Sequence, residues 1–224
     1  MRFLLVRFAL GLPVPAIGAE LTLTIEARWQ GAPVMVPSTE VVTSEGQTVR
    51  ITRLAAVVSG VSLLRRDGGT VRLDGQYGAI DAAAGRMEVR LQGVPEGEYA
   101  GLALQIGVPP EINHGDPGQW PARHPLNPLI NGLHWNWQGG YVFFALEGRW
   151  RADAGEERGF LYHLGTDARL MTVRFLADFR VGSATEIKLA VDLARIVQGH
   201  RLAAGAAVES THSGPDDDVA TRLM

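Results

Sequence analysis

The chain of 224 residues contains no cysteine. It cannot form disulfides, and every site that needs a thiolate is excluded: thiol nucleophiles, CxxC redox pairs, thiolate zinc sites and blue copper. No stretch after the first 19 residues approaches the roughly 20 apolar residues of a membrane-spanning helix. The net charge of −3 argues against a nucleic-acid-binding protein. The fold must therefore rest on a hydrophobic core alone.

The usual enzyme motifs are absent as well. No GxGxxG follows a strand pattern, and the sequence has no GxxxxGK, HExxH or GxSxG. Serines, histidines and aspartates occur, but no order of them implies a catalytic triad. We therefore expect a protein that is not an enzyme.

The first 19 residues have the pattern of a secretory signal peptide. Arg2 and Arg7 flank an apolar run at 3–12, and small residues ending at Ala19 follow. We expect cleavage after Ala19, a mature domain at 20–224 and a periplasmic location. Cleavage removes two of the 21 basic residues and leaves 19 against 24 acidic ones, a net charge of −5. The alternative, a buried N-terminal strand, leaves the basic start unexplained.

The rest of the chain is patterned as short strands separated by turns. Apolar and polar residues alternate with period two in 21–29 and 49–64, and Ser59-Gly60 predicts a bulge or kink in the second of these strands. Further strands are predicted at 71–73, 87–91, 99–108, 141–146, 160–165, 170–179 and 187–192, and short helices at 193–199 and at 219–224, the latter capped by Asp218. This pattern predicts an all-β fold, an antiparallel β-sandwich or barrel-like single domain with long functional loops.

The most chemically suggestive stretch is 131–148. It holds two of the five tryptophans and one of the six histidines between two turn signals, Asn131-Gly132 and Gly139-Gly140. The preceding segment, 109–128, is a long irregular connection that carries two more histidines. Connections of that length are uncommon in compact domains unless they are functional. We therefore expect the functional site here.

Histidines near these segments are candidate metal ligands, because neutral imidazole is the commonest ligand when cysteine is absent. Four are considered: His114, His124, His134 and His163. If the loops bring them together, the affinity order of divalent metals favours copper over zinc. Each could equally be a surface or hydrogen-bonded loop histidine, and Trp135 and Trp137 could equally be core anchors. The residues alone leave these alternatives open.

Four short motifs follow one another in this region: Trp135-x-Trp137, Gly140-Tyr141, Glu147-Gly148 and His163-Leu-Gly165. With them, the sequence resembles the MbnP-like family of exported copper-binding proteins, the partners of MbnH-type di-haem proteins. The similarity covers most of the chain and includes Ile51-Thr-Arg-Leu54, Ser59-Gly-Val-Ser-Leu63, Val94-Pro-Glu-Gly-Glu-Tyr99, Leu104-Gln-Ile-Gly-Val108, Asn113, Asp116 and His124-Pro-Leu-Asn-Pro128. Some relatives have a four-cysteine motif that this chain lacks, so functions tied to those cysteines are not implied.

The resemblance implies chemistry performed on this protein. In the family, a di-haem partner related to bacterial cytochrome c peroxidases oxidises a tryptophan to kynurenine, and the product binds copper. By analogy, Trp135 or Trp137 is the oxidised residue. The implied copper ligands are His134 and His163, followed by His114 and His124. Glu147 and Asp116 would orient the imidazole rings, although strand-end and turn solvation explains both carboxylates equally well.

Three functions therefore remain. The first is a periplasmic copper-binding protein that serves copper acquisition or delivery. The second is a β-sandwich interaction module without a metal, whose aromatic cluster is core or a ligand platform. The third is a hydrolytic metalloenzyme with a histidine site that keeps an open position. The sequence leaves open whether the chain forms a homodimer.

Overall fold

A computed structural model of the chain describes residues 18–135, 139–151, 155–198, 208–214 and 216–223. Residues 1–17, which hold most of the predicted signal peptide, lie outside this part. Strands make up 51% of the structure and helices 12%, which confirms the predicted all-β fold. Within the described part, no helix is long and apolar enough to cross a membrane.

The described strands are numbered in chain order. They are β1 (Ala19–Trp29), β2 (Ala32–Pro33), β3 (Val41–Val42), β4 (Thr48–Leu64), β5 (Thr70–Arg72), β6 (Gly78–Asp81), β7 (Glu88–Val94), β8 (Gly97–Tyr99), β9 (Gly101–Ile106), β10 (Val142–Arg151), β11 (Arg158–Gly165), β12 (Met171–Phe175), β13 (Phe179–Val181), β14 (Ala184–Asp192) and β15 (Val208–Thr211). The helices are α1 (Pro110–Asn113), α2 (Pro128–Asn131), α3 (Leu193–Gln198) and α4 (Asp218–Arg222). Single 3₁₀ turns lie at Pro117–Gln119 and Asp167–Arg169.

The strands form two main sheets. In the first sheet, β14, β1 and β2 are neighbours and β7 also pairs with β1. The second sheet has the order β12, β9, β4, β10, β11, β15, with β3, β5 and β6 paired along β4. The described pairs are antiparallel except β1 with β14 and β11 with β15, which are parallel. The parallel pairing of β15 with β11 matters because it carries a distant part of the chain to the end of β11.

The two sheets pack face to face over an apolar core. The alternation predicted for β1 places Leu21 and Leu23 inward, where neither has exposed surface. They belong to one buried cluster with Leu63 of β4 and Leu104 of β9, on the facing sheet. Burying a leucine side chain contributes about 1.5–3 kcal/mol. Apolar and polar residues alternate along β1 because only one face of the strand packs against this core.

β4 is the central strand and positions the site. β10 pairs with its residues 48–56 and β9 with its residues 58–64, and β6 lies across β4 from both. The chain that connects β9 to β10, residues 107–141, therefore leaves and re-enters the sheet at nearly one point, beside Val57. The Gly107 amide donates to the Val57 carbonyl over 2.8 Å at this point.

The predicted bulge in β4 is confirmed. The register of β4 against β9 shifts between Ser59 and Ser62. Gly60 has a φ of 56°, and a Cβ atom there would come within 2.4 Å of Oε1 of Gln105. Glycine meets both requirements, the left-handed backbone and the close approach of a neighbouring side chain.

The described part of the long connection 107–141 covers the outer face of the second sheet. A separate buried cluster forms there between Ala55 and Val57 of β4, Phe143 and Ala145 of β10, and loop residues that include Leu126, Leu133, Trp135 and Tyr141. Because both faces of the sheet are covered here, residues 54–58 of β4 and 142–146 of β10 form continuous apolar runs, so the alternation predicted for 49–64 does not hold in this part of β4. The prediction of an irregular connection is wrong in part, because the connection contains α1, α2 and a 3₁₀ turn.

Other boundaries also differ from the predictions. The strands predicted at 99–108 and 170–179 are each interrupted, because β8 and β13 pair with each other as a separate ribbon while β9 pairs with β12. The last helix begins at Asp218, so the residue that caps it is Asp217, whose side chain accepts a hydrogen bond from the Ala220 amide. α3 ends at Gln198, and Gly199 lies outside the described residues.

Candidate functional site

A tight return of the chain brings Trp135 to the beginning of β10 and the end of β11. His134 and Tyr141 form an isolated antiparallel bridge. The Trp135 amide donates to the Gly140 carbonyl over 2.9 Å, and the Gly139 amide donates to the Trp135 carbonyl over 2.8 Å. Gly139 and Gly140 have φ angles of 70° and 103°, which glycine adopts readily, so the predicted turn lies where the return needs it.

Trp135 is buried, with 7% of its surface exposed. Its ring packs against Gly165, the last residue of β11, so closely that a Cβ atom there would lie 2.5 Å from Cζ3 of Trp135. On another side, the ring faces His212, with the ring centroids 6.3 Å apart and the planes inclined by 46°. An oxidisable indole therefore lies beside an imidazole.

His212 also lies beside His163. Their ring centroids are 5.5 Å apart, and the planes are nearly perpendicular at 89°. Ser213 fastens this part of the chain to β11, because its Oγ accepts from the Gly165 amide over 2.9 Å and donates to the His163 carbonyl over 3.2 Å. We name the three residues Trp135, His163 and His212 the imidazole–indole cluster.

The sequence alone did not select His212 as a ligand. No local motif marks it, because 48 residues separate it from His163 in the chain. The parallel pairing of β15 with β11, from Gly159 with Val208 to Tyr162 with Thr211, brings it into place.

Glu147 of β10 orients the His163 ring. Nε2 of His163 lies 2.9 Å from Oε1 of Glu147, and the same oxygen accepts from Nη1 of Arg53 over 2.8 Å. Arg53 also donates to the Gly132 carbonyl over 3.2 Å, which connects the pair to the loop that leads to Trp135. The hydrogen bond from His163, together with Arg53, lowers the pKa of Glu147 against the opposing effect of burial. Nδ1 is then the nitrogen of His163 left for a ligand.

His134 lies in the bridge itself. Its ring meets the Tyr141 ring edge to face, with the centroids 5.0 Å apart. Nδ1 of His134 is buried, and within the described residues it has no hydrogen-bond partner. Burial raises the pKa of Tyr141 to about 12, so its hydroxyl keeps its proton and donates to the Leu126 carbonyl. His134 therefore offers a nitrogen without a partner.

His114 belongs to a different group of contacts. Its Nε2 lies 2.8 Å from Oδ2 of Asp167, while the side-chain Nδ2 of Asn113 donates to Oδ1 of the same carboxylate. These two hydrogen bonds, from His114 and then Asn113, lower the pKa of Asp167. Asp116, the carboxylate predicted to orient an imidazole, instead caps the 3₁₀ turn at Pro117–Gln119 and accepts from the Gly118 amide.

His124 is part of an aromatic stack. Its ring lies parallel to the Trp120 ring at 4.2 Å between centroids, and Tyr77 meets both rings edge to face. Nδ1 of His124 accepts from the Leu126 amide over 3.2 Å. Burial lowers the pKa of His124, which favours the neutral ring that this hydrogen bond requires. One nitrogen of His124 is thus committed to the backbone.

The four predicted histidines therefore do not meet at one point. Among the residues that the structure describes, no three histidine, aspartate or glutamate side chains are grouped so that they could hold a metal ion. His163 is joined by His212 rather than by His114 or His124. Trp137, the other predicted oxidation site, lies outside the described residues.

Comparison with known proteins identifies the family. The family model of MbnP matches residues 18–213, nearly all of the chain. The chain belongs to the MbnP family. The structure is similar to the solved structure of MbnP from Methylosinus trichosporium, with a TM-score of 0.59. The match covers 91% of this chain and 86% of that chain, at 18% sequence identity. A comparison with curated protein sequences gave no match.

Proposed function

We propose that this member of the MbnP family is a periplasmic copper-binding protein that is matured by oxidation of a tryptophan to kynurenine. A di-haem partner related to cytochrome c peroxidases performs the oxidation, and the product serves copper acquisition or delivery. The observation that carries the proposal is the imidazole–indole cluster, in which Trp135 lies beside His212 and His212 beside His163. Trp135 is therefore our first choice for the oxidised residue, ahead of Trp137.

The oxidation changes what the tryptophan side chain can bind. An indole N–H only donates a hydrogen bond and cannot ligate a metal. Oxidation breaks the C2–C3 bond of the indole and inserts two oxygen atoms to give N-formylkynurenine. With hydrogen peroxide as the oxidant, two peroxide molecules are reduced to water. Hydrolysis then releases formate and leaves kynurenine, whose aromatic amine and ketone can act as ligands.

The metal-binding groups present before oxidation of Trp135 are consistent with this proposal. His163 and His212 are two neighbouring imidazoles, and no third histidine or carboxylate completes a metal site among the described residues. A ligand formed only by oxidation of Trp135 would supply the missing donor. The affinity order of divalent metals at imidazole sites favours copper. His163 would bind through Nδ1 because Glu147 holds Nε2.

The proposal is tested by mass spectrometry and metal analysis of protein purified from its native periplasm. We expect the mass of kynurenine at Trp135 and stoichiometric copper, and neither in a strain that lacks the two-haem partner. Trp135→Phe should remove both, while Trp137→Phe should retain both. Unmodified tryptophans and no copper, with the partner present and copper supplied, contradict the proposal. Kynurenine at Trp137 instead reverses the choice of residue.

The alternative function, an interaction module without a metal, is favoured by a different observation. Trp120, His124 and Tyr77 form an aromatic cluster outside the imidazole–indole cluster, and each of them is only partly buried. Such rings can serve as a platform for a ligand. This reading predicts unmodified Trp135 and no tight copper in the native protein, so the same experiment separates the two functions.

A further inference from the structure

A cavity of about 310 Å³ lies between the two sheets. Its floor is formed by fully buried leucine and valine side chains of the second sheet: Leu54, Val58, Leu104 and Leu164, each at most 3% exposed. The rest of the lining comes from further apolar residues of the second sheet, from β1 and β14 of the first sheet, from Ile196 of α3 and from Leu223, which follows α4. Every described residue that lines the cavity has an apolar side chain.

The rim of the cavity is different from its floor because its side chains are only half-buried. Met171, Val173 and Phe175 of β12 lie on one side, and Val191 of β14 lies on the other. Among the described strands, β12 pairs only with β9 and β14 only with β1, so each is the edge strand of its sheet. The cavity is therefore reached from solvent between two strand edges.

The cavity and the proposed copper site are on opposite faces of the second sheet. Leu164 and His163 are successive residues of β11, and successive side chains of a strand point to opposite faces. Leu164 lines the cavity, whereas His163 faces the imidazole–indole cluster. An occupant of the cavity thus has no direct contact with the proposed copper ligands.

The lining determines what the cavity can hold. An ordered water needs two to four polar partners, and the described lining offers no polar side chain. A charged ligand group would lose its hydration there without an ion pair in return. The volume is at the lower end of the roughly 300–1,000 Å³ typical of small-molecule sites. It suits one flexible apolar chain and is too small for the two tails of a phospholipid.

We propose that the cavity is a binding site for a single hydrocarbon chain, such as the alkyl tail of a single-chain lipid. The chain enters between β12 and β14 and packs against the leucines and valines of the floor. Met171 and the two phenylalanines, Phe144 and Phe175, adapt to its contour because a thioether and aromatic rings make good contacts with alkyl groups. The polar end of such a ligand stays at the rim.

The binding assay uses the intact, delipidated protein and the uncharged probe N-phenyl-1-naphthylamine, whose fluorescence rises in apolar surroundings. We expect saturable binding of one probe per chain and displacement by 1-dodecanol, but no displacement by a two-tailed phosphatidylcholine. The assay needs neither copper nor the partner, so its outcome is independent of the proposed function. Absence of saturable probe binding to the wild-type protein overturns the proposal.

Two variants locate the site. Val173→Phe fills the rim and Val58→Phe fills the floor, and either should weaken probe binding at least tenfold. The control is Thr172→Phe, which adds the same ring to the exposed, opposite face of β12 and should bind the probe as the wild type does. If Val58→Phe does not fold, Val173→Phe decides alone. Unchanged affinity in the folded filling variants contradicts the proposed location.

Discussion

Trp135 and Gly165 are in direct contact, and the contact leaves no room for a side chain at position 165. A Cβ atom built on Gly165 would lie 2.5 Å from Cζ3 of Trp135 and 2.8 Å from the Tyr141 carbonyl oxygen. The last residue of β11 must therefore be a glycine, because the indole ring of Trp135 and the backbone of Tyr141 occupy the space that a Cβ atom would need. This contact sets the position of Trp135 relative to the two histidines.

Gly165→Ala should displace the Trp135 ring. Overpacking of this kind costs about 1–3 kcal/mol, and we expect a loss of that size in the free energy of unfolding measured with urea. Near-ultraviolet circular dichroism should change as well. Gly182→Ala is the matched control, because nothing lies within 4 Å of a Cβ atom there and its expected effect is within about 0.5 kcal/mol. Equal stability of the two variants would contradict the tight contact.

Glu147→Gln should weaken the connection between His163 and Arg53. Hydrogen bonds to charged groups contribute about 1.5–3 kcal/mol, so we expect a stability loss in that range at neutral pH. Because the pKa of Glu147 is lowered from 4.5, its contribution is fully present above that pH and is lost as the pH falls through the folded-state pKa. Unfolding of both proteins by urea at pH 7 and at pH 3 measures this difference.

The control for Glu147 is Glu157→Gln, which breaks an exposed pair with Arg149. An exposed ion pair contributes about 0–1 kcal/mol, so this variant should resemble the wild type at both pH values. A difference between Glu147→Gln and the wild type that persists unchanged at pH 3 would show that the glutamine disturbs packing rather than the ionic contact.

Alanine variants of single histidines should distinguish the ligands of the proposed copper site. His163→Ala and His212→Ala each remove one of two neighbouring imidazoles and should reduce bound copper to well below stoichiometric amounts. His124→Ala removes a ring that stacks on Trp120 and accepts from a backbone amide, and it should retain copper. Metal analysis of the matured proteins measures this. Retained copper in His212→Ala would contradict the role of His212 as a ligand and favour His134 in its place.

Asp217→Ala should destabilise the C-terminal helix α4. Burial raises the pKa of Asp217, but hydrogen bonds from Thr211 and from backbone amides that include Ala220 outweigh it and lower the pKa overall. Loss of such a cap costs about 0.5–2 kcal/mol. Asp216→Ala, at the exposed neighbouring position, is the control and should be nearly neutral. Thermal unfolding of both variants tests whether Asp217 caps the helix.

Local patterns in the sequence predicted much of the fold. Alternation in 21–29 predicted β1, and Ser59-Gly60 predicted the bulge of β4, because one strand face must meet the core and a glycine tolerates the left-handed backbone. The turn predicted at Gly139-Gly140 is also confirmed. The parallel pairings were not predicted, because strand direction depends on connections that local periodicity does not record.

The candidate site was predicted only in part. The region was found from its aromatic residues and from the family motifs, and the hydrogen bond between Glu147 and His163 is the contact expected of a carboxylate that orients an imidazole. The neighbours of the other histidines were not predicted. His114 lies against Asp167 rather than Asp116, and His124 lies against Trp120. Their roles as ligands stay predictions.

The sequence by itself determined the absence of thiolate chemistry and the all-β class, and it predicted a site in the segment that carries Trp135, because composition, periodicity and turn residues are local properties. Only the tertiary structure decided which side chains meet. His212 lies beside His163 because β15 runs parallel to β11, and Trp135 lies beside His212 because the chain from 107 to 141 leaves and re-enters one edge of β4. Contacts between residues far apart in the chain depend on strand pairing and packing, which no local pattern specifies.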